Sequence, residues 1–403
     1  MTLKSPEKAM YLFTNRAVAR NLMICLAVLA LVPSGARGQY LLGTEFDSVL
    51  GPFDVQRLSS TGVALDPEAV AALAPTAAAI RAAIANEIAS LAISAAGTQY
   101  FFGADRTFYV SGNLGSFFIE PPWTSGEGSW ALGLNVSTFD FDVFNKSRLD
   151  NLFDFTAFVP AAGGDIKVME SNYDLRGTLF TFCGTYGLTE HWDVGFVAPY
   201  AKLIGEGDWS FWFGQGIADF HESDEGISDI VLRTKYEIFE VEDLDNLTTW
   251  SVGADVKLPT GDEDKLLGTG GFGYRLRTLL GKRFGRIYPT VELAYYWAGV
   301  DAIERVYSPN LIRTGIDDND LNTFEFKAAL PINLVEEKWT VAVEYLSRRL
   351  NRSGPNRTAA DLGFSTRFKL NDAVFLQGGV RIPQDESGLR AEIIPTFGGE
   401  IRF

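Results

Sequence analysis

The strongest constraint on this chain is an alternation of period two that runs nearly to its last residue. In residues 389–403, Leu389, Ala391, Ile393, Phe397, Ile401 and Phe403 fall on one face, while Arg390, Glu392, Thr396, Glu400 and Arg402 fall on the other. Apolar residues on one side and charges on the other are the pattern of a strand between two unlike solvents. A soluble sheet seldom ends on an aromatic with no polar tail. In a bacterial outer-membrane barrel the apolar face meets lipid, the charged face meets a wet lumen, and terminal aromatics sit at the interface.

The same pattern recurs in segments of about ten residues from Ser129 onward. Trp130, Leu132, Leu134 and Val136 open the series; Phe180, Phe182, Tyr186 and Leu188 follow, then Trp192, Val194, Phe196, Ala198 and Tyr200. Further apolar faces run through Ile230 and Leu232, Trp250 and Val252, Phe272 and Tyr274, and Ile287 and Val291. The last are those of Phe324 and Phe326, Trp339 and Val341, Leu362 and Phe364, Val374 and Leu376, and the terminal strand. The expectation is an all-β fold: an antiparallel transmembrane β-barrel over residues 127–403 with about twelve strands, an even number as single-chain bacterial barrels require. The connections agree. After even strands they are mostly tight, at residues 189–191, Gly285, 334–337 and 370–372, with 241–246 a little longer. After odd strands they are mostly long: 141–174, 205–226, 259–269, 299–320 and 351–358, with 383–388 the shortest. Short periplasmic turns and long outer loops place both barrel ends at the periplasm.

The amino end has the order of a secretory signal. Lys4, Lys8, Arg16 and Arg20 precede an apolar run from Leu22 to Val32, and small residues around Ala36 and Gly38 offer a cleavage point. That run is far shorter than the ~20 residues a spanning helix needs. Removing residues 1–38 takes five basic side chains (Lys4, Lys8, Arg16, Arg20, Arg37) and one acidic (Glu7) from totals of 35 and 51, and deepens the net charge from −16 to −20. Such a balance argues against nucleic acid as a partner. Only Cys183 then remains, so no intramolecular disulfide forms. The 30 Phe, 14 Tyr and 8 Trp suit interfacial girdles.

Residues 39–126 break the barrel pattern. An Ala-rich stretch with Ile80, Ile84, Ile88 and Leu91 at helical spacing predicts a helix over about 76–95, past the break imposed by Pro75. It is either a periplasmic helix or leader, or a plug that enters the lumen. The clusters at 100–102 and 108–110 suggest a small hairpin beside it.

Chemistry is sparse. His191 falls in an expected tight turn and His221 in an expected long acidic loop, so a histidine-based barrel hydrolase is disfavoured. No Cys/His metal spacing and no phosphate-cradling glycine loop occur, so neither catalysis, a metal nor a cofactor is expected. The inward faces carry Asp255, Lys257, Arg275, Arg277, Glu292, Glu325, Lys327, Glu344, Arg367, Lys369, Arg381, Arg390 and Glu392 as lumen-lining residues. Both signs interleave on adjacent strands, which suits either a charge ladder that fills a narrow barrel or a polar pathway. Acidic clusters at 219–225, 262–264 and 317–320 could attract hard divalent cations, though solvated loops are the simpler reading.

Several stretches resemble the outer-membrane family of meta-pathway phenol-degradation proteins, grouped with fatty-acid and aromatic-hydrocarbon channels. They are Val256-Lys-Leu-Pro-Thr-Gly-Asp-Glu-Asp264 with Gly268-Thr-Gly270, Gly226-Ile-Ser-Asp-Ile-Val-Leu-Arg-Thr-Lys-Tyr236, and Tyr186-Gly-Leu-Thr-Glu-His-Trp-Asp-Val-Gly195. Leu132-Gly-Leu-Asn135 with Phe144-Asn145 resembles the family's opening strand. The resemblance implies a bacterial outer-membrane channel that passes small, hydrophobic or aromatic compounds. The rival is a structural or adhesive barrel with a blocked lumen. Expected partners are outer-membrane lipid, a small-molecule solute and the barrel-assembly machinery, with Phe397, Ile401 and Phe403 as the membrane-insertion signature.

Overall fold

The alternating segments pair in sequence order into twelve antiparallel strands that close on themselves. The computed structural model describes residues 100–102, 108–110, 114–144, 147–151, 155–159, 164–211, 217–243, 246–262, 265–298, 322–335, 338–351, 358–387 and 389–403, all within the unit Leu41–Phe403. The expected helix at 76–95 lies outside them. We label the barrel strands β1 (Trp130–Phe144), β2 (Gly164–Thr189), β3 (Trp192–Phe211), β4 (Ile230–Asp243), β5 (Asn246–Leu258) and β6 (Gly273–Lys282). The remainder are β7 (Thr290–Trp297), β8 (Thr323–Val335), β9 (Trp339–Leu350), β10 (Thr358–Lys369), β11 (Val374–Pro383) and β12 (Ile394–Arg402). Closure is made at β1, which pairs with β2 from Trp130↔Tyr186 and with β12 from Ser137↔Thr396 to Ala131↔Arg402.

Because strand side chains alternate, every strand divides its residues between lipid and lumen. Leu134, Phe180, Leu232, Leu276, Val343, Phe364 and Ile401 stand exposed on the outside. Trp192, Trp250 and Trp339 mark the short-turn rim, each donating its indole N–H to a threonine on the next strand (Thr234, Thr278 and Thr366) at 2.7–2.8 Å. An amphipathic ring with a satisfied N–H is what a membrane interface favours. Phe397, Ile401 and Phe403 also point outward, Phe397 being 67% exposed.

Three departures from the sequence expectations concern strand ends. Residues read as outer loops continue as strand: β2 is 26 residues long and β3 is 20, far beyond the ~10 needed to cross a bilayer. A further strand, Ile217–Ile227, returns along β3 with Leu203↔Asp224, so His221 lies on a strand and not in a loop. The terminal strand is interrupted: Leu389–Ala391 pairs with the outer end of β1, and β12 begins only at Ile394. The break at Glu392 and Ile393 interrupts the alternation, which resumes from Ile394 in its original phase, with Thr396, Glu400 and Arg402 buried and Phe397 and Ile401 exposed. Leu389, Arg390 and Ala391 are all buried, while Glu392 is exposed and gives its N–H to Asp142 at 3.1 Å. The small hairpin Tyr100–Phe102 with Phe108–Val110 is present.

Candidate functional site

The lumen is lined unequally around its circumference. On β1–β3 most inward residues are small or apolar, including Phe139, Phe141, Leu175, Leu179, Cys183, Val197, Ala201 and Leu203, all buried, with Asn135, Ser137, Thr181 and Asp193 as buried polar exceptions. On β4–β10 charged residues stand among neutral ones. Asp255 takes Arg233 Nε at 3.2 Å, Arg277 Nε at 3.3 Å and Arg275 Nη2 at 2.5 Å. Arg275 also reaches Glu325 at 3.1 Å, and Lys327 bridges Glu325 at 3.2 Å and Glu292 at 3.0 Å. Each of these charges thus has an opposite partner on the same strand or within two strands, as it must away from bulk water, where an unpaired one would cost several kcal/mol.

The other candidates of the sequence sit in separate groups. Arg390 pairs with Asp361 at 2.6 Å, and Arg381 lies 3.8 Å from the same carboxylate. Arg367 pairs with Glu400 at 2.8 Å, and Arg402, also on Glu400, stacks over Phe375 at 4.3 Å. Lys369 reaches the turn residue Asp372 at 2.8 Å, close to the short-turn rim. Lys257 holds Asp229 at 3.1 Å near the outer rim. Glu392 is the one of the thirteen that faces away from these groups, because the strand break turns it outward.

Residues 114–126 are the feature that sequence periodicity missed. They are buried almost throughout and are bonded to inward-facing side chains of opposite walls. The segment starts at the short-turn rim, where Leu114 gives its N–H to Thr340 Oγ1 at 3.2 Å and accepts from Arg367. It rises to mid-barrel, where the N–H groups of Phe117 and Phe118 donate to the two oxygens of Glu344 at 3.2 and 2.9 Å. It then crosses to the other wall. Glu120 meets Arg233 and Lys235 at 3.0 Å each, and Arg277 as well. From there it descends: Lys235 donates to the carbonyls of Pro121 and Trp123, and Ser251 to that of Pro122. Trp123, fully buried, packs edge-on against Tyr288 with centroids 4.7 Å apart, beside Leu247. Ser125 N–H reaches both oxygens of Asp193 at 2.9–3.0 Å, and Thr124 donates to Glu190 in the tight turn.

Burial on its own would push the Glu120 carboxyl up. The charges of Arg277, Lys235 and Arg233 overcome it and hold Glu120 far below the usual carboxylate range. One sequence signal pointed to this segment: Ser116-Phe-Phe-Ile-Glu-Pro-Pro-Trp123 is aromatic and apolar without period two, and its prolines bar a ladder strand.

The family described as "Putative MetA-pathway of phenol degradation" matches residues 156–388, more than half of the chain. The chain belongs to this family. No curated protein matches it. Among solved structures, the COG4313 outer membrane channel from Pseudomonas putida F1 is similar at 12% identity and a TM-score of 0.43, over 71% of this chain and all of that one. The Ralstonia pickettii toluene transporter TbuX aligns at 11% identity and TM-score 0.34, over 70% of this chain and 92% of its own. A Pseudomonas aeruginosa FadL homologue aligns at 8% and 0.32, over 77% and 99%. With its closed barrel and apolar outer band, this member of the family is a bacterial outer-membrane β-barrel.

Within the family-like stretch, Leu266, Leu267, Gly268 and Thr269 tuck inward over Asp229, while Thr260 and Asp262 stay exposed. The Asp229 carboxylate accepts the N–H groups of Gly261 and Thr269 at 3.0 Å each, besides Lys257. Leu266 and Leu267 are buried, Leu266 in the left-handed region at φ 60°, a conformation that a tight tuck imposes. The histidines pair with glutamates: His191 Nδ1 lies 3.1 Å from Glu237 and His221 Nδ1 3.0 Å from Glu206.

Proposed function

We propose that the protein is a non-catalytic outer-membrane channel through which small molecules pass passively, those with an apolar or aromatic body and a polar group being best suited. The observation that carries this reading is the uneven inner wall, mostly small or apolar on β1–β3 and holding the paired charges on β4–β10. A ring or short chain can lie against the apolar side while its polar group exchanges hydrogen bonds along the charged side. The aromatic leaning also fits the family's description. Flux into proteoliposomes tests it. Benzoate is expected to enter faster than a disaccharide, and entry no faster than into protein-free vesicles would count against a channel.

The rival reading, a structural or adhesive barrel with a blocked lumen, draws on residues 114–126, which cross the barrel interior. It predicts that deleting outer loops abolishes binding to a surface partner and leaves permeability unchanged.

A further inference from the structure

The segment 114–126 has both of its ends at one rim. Leu114 is fixed to Thr340 at the start of β9, and Thr124 to the tight turn between β2 and β3. The chain therefore hangs in the lumen as a U with its apex at Phe117 to Glu120, open toward the periplasmic rim from which both of its ends enter. Gly115 and Gly126 bracket it at φ +75° and +83°, backbone states that glycine takes at no steric cost.

Each bond that holds the apex has a second partner waiting in the wall. If Glu120 leaves, Arg233 and Arg277 keep Asp255 at 3.2–3.3 Å, and Lys235 lies 3.7 Å from Asp193. If the Phe117 and Phe118 N–H groups leave, Glu344 keeps the Ser365 hydroxyl. If Leu114 leaves, Arg367 keeps Glu400 at 2.8 Å. Stranding a buried charge is what makes breaking an ion pair expensive. Here the cations of the wall keep a carboxylate in either state, while Glu344 keeps a hydroxyl and gains water as the lumen opens, so the segment has two admissible positions.

We propose that residues 114–126 are a reversible gate across the lumen, latched on one wall by Glu120 and on the other by Glu344. This rests on the channel reading above. Transport through the barrel requires the U to swing out of the lumen.

The test uses the full-length protein with Cys183→Ser and Ser116→Cys, read by labelling with a membrane-impermeant maleimide and by current across planar bilayers. Glu120→Gln is expected to raise the labelling rate and the open fraction together, by roughly tenfold or more, as loss of a charged hydrogen bond implies. Glu344→Ala, on the opposite wall, should do likewise and serves if Glu120→Gln does not assemble. A third variant replaces residues 116–122 by Gly and Ser and should conduct continuously. Labelling that rises with no change in current would overturn the gate, as would currents in both latch variants equal to wild type while the Gly/Ser variant conducts. A barrel that assembles yet conducts in none of the forms would overturn the channel reading itself.

Discussion

Glu120 is where the crossing segment is tied to the wall of β4 and β6, and its ionisation has a pH consequence of definite sign. The groups facing it are Arg233 and Lys235 of β4 and Arg277 of β6, with Asp255 and Asp193 behind them. Its carboxyl is depressed in the docked segment, so it favours docking above its free value of about 4.3 and progressively less as pH falls below that. The open fraction in planar bilayers is therefore expected to rise as pH drops below about 4, and Glu120→Gln, already undocked, should rise less. A second residue-scale prediction concerns Asp229, the acceptor that pins the inward-turned loop. Asp229→Ala leaves Lys257 without its carboxylate and should cost about 3–5 kcal/mol of barrel stability. Urea unfolding in lipid vesicles measures it; a loss under 1 kcal/mol would show that the pin is unimportant.

At the scale of elements, the strands were legible because each must satisfy lipid on one side and the lumen on the other. That demand writes period two into Trp250, Val252, Ala254 and Val256 against Ser251, Asp255 and Lys257, and the register with β4 and β6 follows it. Where a strand rises above the bilayer the demand ends. The outer parts of β2 and β3 and the strand Ile217–Ile227 carry no such alternation, and so read as loop. Glu392 was misplaced for a related reason: the strand is interrupted at residues 392–393, so the alternation does not run through them, although beyond the break Thr396, Glu400 and Arg402 face inward as their spacing predicts. The lipid-facing half makes its own prediction. Val343→Arg, outward and mid-strand between Trp339 and the outer rim, should destabilise folding into vesicles by about 2–4 kcal/mol, while Trp339→Arg at the interface should cost nearer 0–1 kcal/mol from the charge alone. Gly187 supplies another. A Cβ there would collide with the Gly126 carbonyl, where the segment leaves the lumen, so Gly187→Ala should loosen that crossing and lower thermal stability.

For the whole molecule, a closed barrel answers the membrane and its interior then has to answer itself. The charged residues of β4–β10 were identifiable from sequence as inward-facing, but their pairing depends on which strands become neighbours and at what register. Asp255 gathers arginines from β4 and β6, which no spacing in the chain announces. The crossing segment was hidden more deeply still. Phe117, Phe118 and Trp123 satisfy no periodic element, and their partners lie more than a hundred residues away, at Glu344 and Tyr288. Filling the interior with a segment that can leave it reconciles a packed barrel with passage through it. The most direct measurement of that claim is the current through planar bilayers carrying the unaltered full-length protein and its Glu120→Gln form side by side. The account predicts brief, infrequent openings in the first and openings at least about tenfold more frequent in the second. Equal currents in the two, with both barrels assembled, would contradict it.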